Sequence, residues 1–133
     1  MKKTILTLAI ALLSLAGYSQ TKTNAKTKTH MYKPGKNDVS FQSEGEQMAG
    51  HLYLPSNYKS GDRLPLVIVT GSWTTVKEMM AGTYANKLAD KGYAALTFDF
   101  RFFGESGGLP RQYENPQEKI KDIKNAASWA STL

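Results

Sequence analysis

The sequence predicts an α/β domain in which an antiparallel hairpin precedes a parallel strand–helix–strand unit and one further helix. Three observations carry this. Runs of alternating polarity flank Glu44-Gly45, and two later apolar runs, residues 65–70 and 93–98, show no polar alternation at all. After each of these runs, apolar residues recur at helical spacing.

The chain opens with a segment outside that fold. Residues 1–19 read as a secretory signal: Lys2 and Lys3 precede an apolar stretch over residues 5–16, and Gly17 and Ser19 supply the small residues of a cleavage site before Gln20. The stretch is shorter than the roughly 20 residues needed to cross a bilayer, so no stable membrane anchor is expected after cleavage. Export to the periplasm or medium follows. Residues 20–37 form a polar basic linker that holds Lys22, Lys26, Lys28, Lys33 and Lys36 and no acid. Its composition explains the formal charge of +6 on the 133-residue chain, because beyond it ten basic residues face eleven acidic ones. Residues 38–133 are therefore nearly neutral, and no nucleic-acid partner is expected. Cysteine is absent, which excludes disulfides, Cys-based metal sites and a lipoprotein anchor.

From Asp38 the elements follow in order. Val39 and Phe41 alternate with polar neighbours, and Leu52 and Leu54 alternate with His51 and Tyr53, which predicts a hairpin with His51 exposed or on an edge strand. Pro55 ends the second strand, and Asn57, Gly61 and Asp62 mark a loop. The uniform run over residues 65–70 predicts a strand covered on both faces and central in its sheet. Thr75 and Glu78 have capping-box spacing, ahead of a helix with Val76, Met80, Tyr84 and Leu88 on one face and Gly92 at its close. Residues 93–98 are a second buried strand ending at Asp99. A glycine-rich loop then leads to Asn115, Pro116 and Glu118, which open a last helix with Ile120, Ile123, Ala127 and Ala130 on one face. Buried strand, crossover helix and buried strand form the βαβ unit of a parallel sheet.

Open α/β sheets bind ligands at the carboxyl ends of their strands, which directs attention to residues 71–75 and 99–110. Gly71, Ser72 and Trp73 follow an apolar strand there and precede Lys77-Glu78. Asp99, Arg101, Gly104, Ser106 and Gly108 fit Asp-x-Arg-x-x-Gly-x-Ser-x-Gly. Together these stretches resemble the first half of an α/β-hydrolase, nearest the dienelactone-hydrolase-like and peptidase-like group, over residues 39–133. Phe102 stands where that group often has glycine. The resemblance implies the N-terminal part of an α/β-hydrolase sheet, an incomplete domain. It also implies an ester or amide substrate for the full-length family, no cofactor, and an oxyanion-hole amide from Ser72 or Trp73, with Gly71 allowing the sharp turn.

Gly104-Glu105-Ser106-Gly107-Gly108 also satisfies G-x-S-x-G, the nucleophile elbow, and is similar to the Gly-Asp-Ser-Gly-Gly of trypsin-like proteases. Neither context fits. The preceding strand ends near Asp99, Gly107-Gly108-Leu109-Pro110 cannot start a helix, and the trypsin fold is all-β with an upstream His–Asp pair. Ser106 is expected to order its own loop instead. Asp99 is expected to pair with Arg101, while Phe102 and Phe103 fit a pocket lining or a core contact equally well. A triad histidine must follow the nucleophile in this family, and none follows His51.

The expected function is thus that of a truncated serine- or cysteine-type hydrolase, with no catalytic residue of its own and no activity alone. The alternative is a small secreted binding module without catalysis. The family places its third strand between the fourth and a fifth, so without a fifth that strand is an exposed edge able to self-associate. Neither a dinucleotide fingerprint nor a P-loop occurs, and no His/Asp/Glu cluster has metal-ligand spacing.

Overall fold

The computed structural model describes residues 31–133, so the signal and most of the linker lie outside the described residues. Glu44 and Gly45 take φ of 49° and 85°, the left-handed pair of a two-residue hairpin turn whose twist matches that of its strands. They join β1 (Gly35–Ser43) to β2 (Glu46–Leu54), antiparallel, with Ser43 opposite Glu46. β1 begins at Gly35, inside the stretch read as linker.

β3 (Leu66–Ile68) leads into α1 (Met80–Ala89), and α1 returns the chain to β4 (Ala94–Phe98). β4 pairs parallel with β3, Val67 opposite Ala95, and antiparallel with β2, Leu52 opposite Leu96, for a sheet order of β1-β2-β4-β3. α2 (Pro116–Ala130) is capped by Asn115, whose side-chain oxygen accepts the amides of Gln117 and Glu118 at 3.1 and 3.3 Å. Each helix covers one face of the sheet. α1 packs over Tyr53 and Ala95, and α2 over Phe41, Met48, Leu96 and Phe98.

The hairpin, the parallel βαβ unit and the last helix match the sequence reading, but several local expectations are corrected. β3 lies beside β4 at the edge of the described sheet, as expected for the third strand without a fifth, and its residues are half-buried and not covered on both faces. His51 is buried and not exposed, since β2 lies between β1 and β4 with α1 over that face. No capping box forms at Thr75. Its hydroxyl donates to the Ser72 carbonyl at 2.9 Å, and α1 starts only at Met80 because the Lys77 amide is drawn to Asp99.

The buried faces of both helices also differ from the expected ones. α1 buries Ala81, Ala85 and Ala89 and exposes Met80 and Tyr84, while α2 buries Asp122 and Ala126 and exposes Ile120 and Ile123. Small side chains let α1 lie close to the sheet, and Asp122 is drawn inward by Arg101.

Candidate functional site

The loop that leaves β3 is held at both ends and open in the middle. Gly71 is required, since a Cβ there would collide with the Thr75 hydroxyl. Thr74 takes a left-handed φ of 55°, strained for a β-branched residue. Trp73 is 68% exposed. Among the described residues the Ser72 and Trp73 amides donate to no other group of the chain.

The far end of this loop is fixed by Lys77, which sequence reasoning passed over. Lys77 and Asp99 are both fully buried. The Asp99 carboxylate accepts the Lys77 amide at 2.7 Å, the Lys77 ammonium at 2.8 Å and the Glu105 amide at 2.9 Å. Lys77 Nζ also meets Glu105 at 2.7 Å and Glu78 at 2.8 Å. Burial alone would push the Lys77 ammonium down, but its hydrogen bonds to Asp99, Glu105 and Glu78 outweigh that and hold its pKa above the ordinary lysine value. One carboxylate therefore ties the loop after β3 to the loop after β4.

The expected Asp99–Arg101 pair is not made, and this is a correction. Strand alternation would put Asp99 and Arg101 on one face, but β4 ends at Phe98 and the chain enters a turn at Arg101, so Asp99 meets Lys77 while Arg101 is taken by Asp122 and Glu118 of α2. The Arg101 guanidinium donates to Asp122 from Nε at 3.0 Å and Nη2 at 2.8 Å, to Ser43 Oγ at 3.1 Å, and to Glu118. Hydrogen bonding to Asp122 raises its pKa further.

Ser106 is buried, and its hydroxyl donates to the Asp99 carbonyl at 2.6 Å while accepting the Ala49 amide at 2.9 Å. Both roles turn the oxygen into the protein. No helix follows it. Gly104 has φ of 51° and lies against the Asp99 carboxylate, leaving no room for a Cβ. Phe102 has a left-handed φ of 75°, which explains why glycine suits that position. Its amide donates to the Gly107 carbonyl at 2.8 Å, and its ring packs on Tyr113. Phe103 is buried in the α2-side core beside Phe100, with the Lys119 ammonium 5.6 Å above its ring and 6.0 Å from that of Trp73.

His51 sits on β2 beside two carboxylates. Its Nε2 is 3.4 Å from Asp38 and 3.8 Å from Glu78, and its Nδ1 is buried without a partner among the described residues. Burial first, then the Lys36 and Lys77 charges, lower its pKa against the opposing pull of Glu78 and Asp38. A cavity of about 480 Å³ opens at the other end of the strands, lined by Leu54, Tyr58, Leu66 and Ala94, and takes no part in this site.

A mixed sheet of this order, with a glycine-started loop after its edge parallel strand and a locked glycine-rich loop after the next, defines the α/β-hydrolase class. The chain belongs to the family described as X-Pro dipeptidyl-peptidase (S15 family), whose model matches residues 44–133. It is similar to an uncharacterized protein of Pseudomonas aeruginosa, 40% identical over 96 residues that make up 71% of this chain and 26% of the relative. The crystal structure of a hypothetical protein from Pseudomonas aeruginosa superposes with a TM-score of 0.70 at 37% identity, over 80% of this chain and 34% of that one. The quorum-quenching protein AidA of Acinetobacter baumannii is 30% identical over 72% of this chain and 31% of its own length. An alpha-beta serine hydrolase homologue from Coxiella burnetii shares the fold, with a TM-score of 0.61 at 21% identity over 77% of this chain and 48% of that chain. The chain thus spans between 26% and 31% of the length of these curated relatives.

Proposed function

We propose that this chain is the opening part of an exported hydrolase of ester or amide bonds and supplies one oxyanion donor, the Ser72 or Trp73 amide. The single observation that carries this is the pair of unpaired amides in an exposed loop whose two ends are fixed. A donor set in place before an oxyanion forms lowers the barrier by about 3 kcal/mol, because it need not reorganise during the reaction. Nucleophile, acid and histidine are assigned to sequence outside this chain, so the chain alone is inactive. A positioned amide without a nucleophile lowers no barrier to acyl transfer.

The test is turnover of an activated aryl ester by the purified chain, with Ser106→Ala beside it. The expected rate is that of buffer for both proteins. Turnover above buffer overturns the reading, and turnover lost in Ser106→Ala would make Ser106 the nucleophile. Export is tested separately by N-terminal sequencing of the mature product, which should begin at Gln20.

A further inference from the structure

A polar row crosses the α1 face of the sheet on the hairpin side. Asp38, His51 and Thr97 stand opposite one another on β1, β2 and β4, so their side chains share that face, and Glu78 reaches it from the segment that enters α1. Glu78 Oε1 lies 2.8 Å from the Lys77 ammonium and 3.8 Å from His51 Nε2, which is also 3.4 Å from Asp38 Oδ1. Because both carboxylates face Nε2, the neutral ring keeps its proton there and a second proton must go to Nδ1. Nδ1 is buried without a partner among the described residues, and so is the hydroxyl of Thr97 on the neighbouring strand. Buried polar atoms are seldom left unsatisfied, and here the first can take a proton and the second can accept an N–H.

Charge on this ring changes what Glu78 faces. With His51 neutral, the half-exposed Glu78 carboxylate has one full cation beside it, Lys77. With His51 charged it has two, and the imidazolium also repels the Lys77 ammonium. Both effects draw Glu78 and Lys77 apart, while Asp99 and Glu105 still hold Lys77 Nζ at 2.8 and 2.7 Å. We propose that His51 is a proton-sensitive positioning residue: on taking a proton it draws Glu78 from Lys77 and weakens the lock between the loop after β3 and the loop after β4. The inference concerns this lock and does not depend on the hydrolase reading.

The groups around the ring set when this happens. Burial opposes the proton first, then Lys36 of β1 and Lys77, against Glu78 and Asp38, and the balance lowers the His51 pKa from its ordinary 6.5. Tyr53 stands edge-on at 6.1 Å, β4 brings the uncharged Thr97, and the one charged side chain of α1, Lys87, is in its last turn. Burial would raise the Glu78 pKa, but its hydrogen bond to Lys77 outweighs that and holds it below the ordinary 4.5. Glu78 therefore stays largely charged as pH falls from 6.5 to 4.5.

The test is an NMR pH titration of the isotope-labelled full chain that follows the His51 ring, the Glu78 carboxyl carbon and Lys77 Nζ, beside His51→Gln, Glu78→Gln and, as a control, Asp38→Asn. Far-UV circular dichroism verifies the fold at each pH. The other histidine, His30, is the ring signal that persists in His51→Gln. In the parent chain the Glu78 and Lys77 signals are expected to shift at the midpoint of the His51 ring. His51→Gln should abolish that step, and Glu78→Gln should leave the ring titrating while removing most of the Lys77 step. Asp38→Asn should keep the coupling at a lower His51 midpoint, since Asp38 favours the proton. Should the buried His51→Gln fail to fold, Glu78→Gln, at a half-exposed position, carries the test. A Lys77 signal that ignores the His51 step overturns the inference. So does one that follows it equally in Glu78→Gln, or a ring that takes no proton while the chain is folded.

Discussion

In the loop after β3 the amides of Ser72 and Trp73 meet no other group among the described residues and the Trp73 ring lies open. In the loop after β4 the Ser106 hydroxyl, the Asp99 carboxylate and the Arg101 guanidinium are each held by several partners. The two loops leave neighbouring strands at the same end of the sheet. The second carries the serine motif that looks catalytic, yet its polar atoms are directed inward. The first carries no such motif, yet its Ser72 and Trp73 amides have no partner among the described residues. Whether a polar group is already satisfied separates a scaffold from a site more reliably than a motif does.

The comparison breaks most sharply at the lock between the loops. Asp99→Asn removes the charge that faces Lys77, and losing one partner of a buried pair costs about 3 kcal/mol, toward the low end because Glu78 and Glu105 stay within reach. Urea unfolding should show that drop, a large part of the stability of a domain this size. Ser106→Ala should cost about 2 kcal/mol by the same assay, since it strands the Ala49 amide and the Asp99 carbonyl.

A smaller effect concerns pH. His51 has a folded pKa below its ordinary 6.5, so the unfolded chain binds its proton more readily and acid favours unfolding. Stability should fall as pH drops below 6.5, and His51→Gln should remove that part of the fall. Loss from Glu78, whose pKa is lowered by Lys77 against the opposing effect of burial, begins only below its ordinary 4.5 and remains in the variant. Smallest is Thr74→Gly, which should raise stability by about 0.5 kcal/mol by relieving a left-handed β-branched residue. Phe102→Gly should give no such gain, because the Phe102 ring packs on Tyr113.

Much of the fold was legible from the residues. Strand periodicity placed the hairpin, the uniform runs at β3 and β4 announced a parallel pair, and Asn115-Pro116 marked where α2 begins. The helix faces were not legible, because periodicity gives weight to large apolar residues such as Tyr84 and Ile120, whereas the sheet accepts the small ones, Ala81, Ala85 and Ala126. His51 was misjudged because alternation reports which face a residue takes and not whether that face is covered.

The site was half legible. Gly71 to Trp73 stood out as a loop at a strand end. The partner of Asp99 did not, since a lysine reads as solvent-exposed until its carboxylates are located, and the sequence separation of Lys77 from Asp99 hides them. Arg101 was nearer in sequence, but the chain turns there, past the end of β4, and carries its guanidinium to α2.

Treatment of the folded chain with a fluorophosphonate serine probe, followed by intact-mass analysis and peptide mapping, tests the central contrast most directly. If the loop after β4 is scaffold, the chain mass is unchanged and the Ser106 peptide carries no adduct, because its hydroxyl is buried between Ala49 and Asp99. An adduct on Ser106 that disappears in Ser106→Ala would contradict the account.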